Sequence, residues 1–114
     1  RGAGHAFAVR EEACAPCHDE PLLDRARDQQ RDLRARAVAS WDRLVARGAV
    51  QGGAEEHASA MAIRARDPDL VRAALICRFV LADPGLAAHA PGLGEPLVSE
   101  AEALERSAPR GSGP

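Results

Sequence analysis

Residues 21–48 read PLLDRARDQQRDLRARAVASWDRLVARG, and their reading decides the fold. Leu22, Ala26, Leu33, Ala37, Trp41, Leu44 and Gly48 recur at steps that suit one face of a helix. Asp19 or Glu20, just before Pro21, marks the start. Gly48, or the Gly52–Gly53 pair, marks the stop. A helix of about 26 residues spans roughly 40 Å at 1.5 Å per residue. Charges alternate in sign through 24–36, DRARDQQRDLRAR, which predicts a solvated face laced with ion pairs.

Downstream, a second helical region is expected from about Glu55 to Ala82, interrupted by RDPD at 66–69. Pro68 lacks an amide donor and restrains the residue before it. Asp67 therefore reads as an N-cap with Pro68 in the first helical position, giving two helices or one kinked helix. Leu70, Ala73, Ala74, Cys77, Val80 and Leu81 form its apolar stripe, and Asp83-Pro84-Gly85 ends it. Residues 86–96, rich in Gly and Pro, read as a loop. Ser99 with Glu102 reads as a capping box for a short last helix over about 100–106. Residues 1–13 look irregular, and the tail 107–114, SAPRGSGP, is disordered by composition. No window alternates as a half-buried strand does. The expected fold is all-α: one domain over 1–106, built on a long antiparallel helical hairpin with a short C-terminal helix.

Composition narrows the function classes. Aromatics make up 3% of the 114 residues, with one Trp, two Phe and no Tyr, so large core-filling side chains are scarce. Every basic residue is Arg, the net charge is −2, and no basic block interleaved with aromatics suggests nucleic acid. No apolar run approaches the roughly 20 residues of a membrane span. There is no initiator Met and no signal peptide, which predicts a processed end or an excerpt of a longer chain.

The chemistry lies in residues 14–18, CAPCH. C-x-x-C-H is the c-type haem attachment pattern. Two thiols form thioethers to the two vinyl groups on one edge of the macrocycle, and the adjacent histidine falls beneath the iron as proximal ligand. Cys14, Cys17 and His18 take these roles, with haem c as cofactor. Other chemistries compete. Pro16 between the cysteines suits a thiol–disulfide couple, but that motif belongs beside βαβ units. A closed zinc site needs four ligands, and would have to recruit two of His5, His57, His89 and Cys77. A reduced cysteine pair that happens to precede a histidine is the bland reading.

The sixth iron position has four candidates: Met61, His57, His89 and His5. If the second helical region folds back antiparallel, its start lies far from the haem and its end close. His89 then becomes the distal ligand, Met61 a core residue and His57 a surface residue. Two histidines would close both axial positions and favour electron transfer over small-molecule binding. His5 is a weaker candidate, for a haem carried by another segment or chain. Trp41 is expected in the core, and Cys77 as a buried free thiol.

The order EACAPCH, LLDRARDQQRDLRARAVASWDRLVARGA and CRFVLADPGLAAHAPG resembles the C-terminal part of the pentahaem, ammonia-forming cytochrome c nitrite reductases, over about residues 13–105. In that family the last C-x-x-C-H opens a long helix, a second helix returns, and a loop then carries a histidine shortly before a proline. The resemblance implies Cys14, Cys17 and His18 as haem attachment and proximal ligand. It implies His89, before Pro91, as a distal ligand to this haem or a neighbouring one. It also implies self-association through the long helices. Family catalysis uses a lysine-ligated haem with Arg, Tyr and His around the substrate. This chain has no Lys, no Tyr and one haem motif, so nitrite reduction is not implied.

The expectation is therefore a periplasmic or extracellular electron-transfer module. It would serve redox partner proteins or neighbouring haem subunits. A haem-based sensor with an open sixth site and a helical zinc-binding interaction module are the alternatives. A self-contained enzyme has the least support, because no acid–base constellation accompanies the haem.

Overall fold

The computed structural model describes residues 20–54 and 62–109, the side chain of Glu20 excepted. Among these residues the chain forms helix α1 (Glu20–Ala46), strands β1 (Val50–Gln51) and β2 (Ala62–Ile63), and helices α2 (Pro68–Ala82), α3 (Leu86–His89) and α4 (Gly94–Ser107). The mostly helical class agrees with expectation.

Helix α1 carries Pro21 in its first turn, where a missing amide leaves no intrahelical bond unmade. It ends in a Schellman arrangement. Gly48 takes φ 76°, its amide donates to Val45 O at 2.9 Å, and the Ala49 amide donates to Leu44 O at 2.9 Å. Leu44 and Ala49, both fully buried, supply the accompanying apolar contact. The buried face begins at Leu33 and continues through Ala37, Ser40, Trp41 and Leu44. Leu22, expected on that face, is 39% exposed. The reason is length: α2 has 15 residues against 27 in α1, so it leaves the first turns of α1 uncovered.

Helix α2 starts as predicted. Asp67 sits in extended backbone, and its carboxylate accepts from the Asp69 and Leu70 amides at 2.9 and 3.3 Å. Leu70, Ala73, Ala74, Cys77 and Val80 are buried as expected, and Leu81 partly so. Asp67→Ala should cost about 1 kcal/mol, the usual worth of an N-cap. The check is a lower urea midpoint with an unchanged m-value.

The start of α2 lies beside the end of α1, since the Arg64 and Ala65 amides both donate to Ala49 O at 2.8 and 2.9 Å. Its far end lies beside Gln30, whose amide nitrogen reaches Asp83 O at 3.4 Å. The two helices are therefore antiparallel, as expected. Helix α4 then runs parallel to α1. Ser99 and Glu102 meet Arg36, Glu105 meets Ser40 and Arg43, and Pro109 O accepts from Arg47 at 2.8 Å. The result is an up-down-up bundle of three helices rather than a hairpin with a short appendage.

Several expectations need correction, among them the loop over 86–96, where Leu86–His89 is helical. The last helix starts at Gly94, not near residue 100, and has 14 residues. Pro96 falls in its first turn, where proline is tolerated, and Gly94 packs so tightly that a Cβ there would lie 2.4 Å from Leu33 Cδ1. Ser99 and Glu102 are inside the helix and are not a capping box; both turn toward α1. The stretch before Pro68 is not helical at 62–67, because Ala62 and Ile63 pair with Gln51 and Val50 in a two-residue antiparallel ribbon. Strands that short give no alternation to detect. Ala108 is also buried, so the packed region runs past Ser107. The expectations for residues 1–13, for His57 and Met61, and for 110–114 fall outside the described residues.

Candidate functional site

Cys14, Cys17, His18 and His5 lie outside the described residues. The description begins at Glu20, two residues after His18 and already at the start of α1. His89 is the last residue of α3. Two side chains that the sequence reading treated as part of a solvated run hold this segment. The Ala87 amide donates to Gln30 Oε1 at 2.9 Å, and Gln29 Nε2 donates to Pro91 O at 3.3 Å. The Gln pair interrupts an otherwise charged run, and that break is the signal that could have marked it.

The clamp fixes where the returning chain meets α1. Gln30 lies ten residues beyond Glu20, about 15 Å along the axis. The His89 segment thus docks on the N-terminal half of α1, the end that follows CAPCH, rather than on its first turn.

His89 Nε2 lies 2.8 Å from Asp83 Oδ2. The imidazole is 38% exposed and the carboxylate 19%. Asp83 is itself fixed. Its Oδ1 accepts from the Gly85 amide at 3.1 Å, and its carbonyl accepts from the Leu86 amide at 3.2 Å as well as from Gln30. The α3 backbone is closed by the His89 amide on Gly85 O at 3.1 Å and the Ala90 amide on Leu86 O at 2.8 Å. Phe79, four residues before Asp83, is 47% exposed, and Leu93 is 43% exposed. This end of the bundle thus offers an imidazole with a carboxylate partner together with exposed apolar side chains.

Cys77 is not part of this end. It is 1% exposed, hydrogen-bonded with Ser40, and burial pushes its thiol up, so it is a poor thiolate. Its reading as a buried free cysteine holds. Trp41 is fully buried, with Nε1 donating to Gly52 O at 2.7 Å.

The remaining polar groups act as stitching. Arg36 meets Glu102 through two hydrogen bonds of 3.1 and 2.8 Å, and also reaches Glu95 and Ser99. Its guanidinium holds the Glu102 carboxyl below the ordinary carboxylate range. Glu105 is buried and accepts from Ser40 at 2.9 Å and from Arg43 at 3.0 Å. These bonds fix the register of α4 on α1. Nucleophile and base are not paired among them. The expected solvated pairs do occur at Asp24–Arg27 and Asp28–Arg31. Among the described residues no helix is long and apolar enough to cross a membrane.

No known protein family, curated protein or solved structure matches this chain.

Proposed function

We propose that the chain is a c-type cytochrome module that transfers electrons through one covalently attached haem. The observation that carries this reading is the sequence Cys14-Ala-Pro-Cys-His18, placed two residues before a long helix. The haem supplies one-electron chemistry at iron. Cys14 and Cys17 anchor the ring by thioethers, and His18 binds as proximal ligand. His89 is the distal ligand, supported by its place on a segment docked against the N-terminal half of α1. Phe79 and Leu93 are suited to cover the apolar edge of the ring and keep water from it.

Thioether attachment takes place outside the bacterial inner membrane, so we place the protein in the periplasm or beyond. Its partners are redox proteins or neighbouring haem subunits, as the resemblance to the C-terminal part of the nitrite reductases implies. Self-association through the long helices belongs to the same proposal. The second reading, a haem sensor with an open sixth position, is favoured by one contact: Asp83 already engages His89 Nε2.

The test is expression with a c-type maturation system, followed by ferric and dithionite-reduced spectra of the wild type and His89→Ala. A low-spin wild type and a high-spin variant are expected. A low-spin variant would move the distal role to Met61 or His5. A chain without covalent haem would sink the proposal, and metal analysis for zinc would follow.

A further inference from the structure

Leu75, Phe79 and Leu93 are large apolar side chains exposed by 46, 47 and 43%. They come from two helices but share one face. Arg72 of α2 pairs with Glu100 of α4, and the two helices run antiparallel, because α2 opposes α1 and α4 follows it. Seven residues on from Arg72 is Phe79, and seven back from Glu100 is Leu93. Both therefore lie about 10 Å along the seam from the ion pair, at one height. A step of seven also returns to the same side of a helix. Leu75, three residues on from Arg72 and four before Phe79, adjoins both. Its counterpart in height is Leu97, partly buried at the seam.

We propose that this α2–α4 face docks a second copy of the chain, about a two-fold axis parallel to the helices. An occupant must offer an apolar centre and charges of both signs at matching heights, and the chain itself meets that demand. Rotation about such an axis keeps every residue at its own height and sets α2 against α4 of the second copy. Phe79 then meets Leu93 of the second copy, Leu75 meets Leu97, and Arg72 meets Glu100. The facing helices are again antiparallel. The outward side of α1 offers no such match: the exposed Asp28–Arg31 pair, Asp32 and Asp42 surround Ala35 and Ala39. Such pairing is the self-association proposed above, moved from the long helix to this face, and it needs no haem. Phe79 and Leu93 also serve the ring edge in that reading; Leu75, one turn farther from α3, belongs to the pairing alone.

The apolar centre is about 10 Å long and roughly 20 Å wide. That is well short of the roughly 800 Å² per partner of a standard interface, so the pair is reversible. Sedimentation equilibrium from about 10 μM to about 1 mM covers the range of so small a contact. The haem-loaded full chain and the Cys14→Ser, Cys17→Ser chain should both pass from monomer to dimer. Leu75→Glu should weaken the dimer about tenfold or more, because it sets a carboxylate against an apolar partner. Leu75→Ala, which adds no charge and suits a helix, should weaken it about threefold. Ala35→Glu, on the outward side of α1, should leave it unchanged. Far-UV circular dichroism confirms that each variant is folded.

A chain that stays monomeric throughout overturns the pairing. A dimer untouched by both Leu75 substitutions, or one broken by Ala35→Glu, overturns this face and leaves self-association standing. Pairing of the haem-free chain alone would give the face to the ring, and pairing of the loaded chain alone would place the contact at the cofactor; either overturns it. If no loaded chain can be made, the haem reading fails by itself, and the haem-free chain still decides the pairing.

Discussion

The Cys14→Ser, Cys17→Ser chain is expected to leave a c-type maturation system with no covalent pigment, against one haem per chain in the parent. The thioethers need sulfur, and the serine hydroxyl cannot replace it. The same variant should keep its helical circular dichroism. The buried core of the described residues is made by protein side chains, chiefly Leu33, Trp41, Leu44, Leu70, Val80, Leu86 and Val98. Haem staining after denaturing electrophoresis reads the first expectation, and far-UV circular dichroism the second. Covalent pigment that survives the substitutions would place attachment elsewhere. Collapse of the helical signal would make the haem part of the core.

Trp41→Ala should lower the unfolding free energy by about 3–5 kcal/mol, the range for a large aromatic truncated in a packed core. For a domain with a total of about 5–15 kcal/mol, that removes most of the margin. Two losses add. Trp41 is the largest fully buried side chain, and its indole N–H satisfies Gly52 O at 2.7 Å. Gly52 has φ 93°, so this bond also secures a turn next to the β1 strand. Trp41→Phe separates the two, keeping most of the volume and losing the hydrogen bond, at about 1–2 kcal/mol. Urea unfolding of the three proteins checks both figures. A Trp41→Ala midpoint near wild type would mean that the core repacks around the gap.

Legibility followed the range of the interaction. Asp67 and Pro68 announced the start of α2 because a cap is a contact between residues two and three apart. Gly48 announced the end of α1 for the same reason. The start of α4 was hidden. Gly94 and Pro96 look like breakers in one dimension, and only the close approach of Leu33 explains a glycine there. Ser99 and Glu102 have the spacing of a capping box, but residues three apart also share a helix face. Arg36, from α1, claims both.

The candidate site divides in the same way. CAPCH is legible because the haem attachment proposed for it needs its residues in one short run. His89 was legible as a histidine shortly after the returning helix. That Asp83 engages its Nε2, and that Gln29 and Gln30 hold its segment, was not.

By itself, then, the sequence determined the helical class, the cap of α2, the buried stripe of α2 and a chemical motif, since each is written in residues a few positions apart. Only the tertiary structure decided that three helices share the core, that Arg36 and Glu105 set the register of α4, and that the His89 segment meets α1 at Gln30. Those outcomes depend on side chains more than fifty residues apart, and become available only once α2 has reversed the chain against α1.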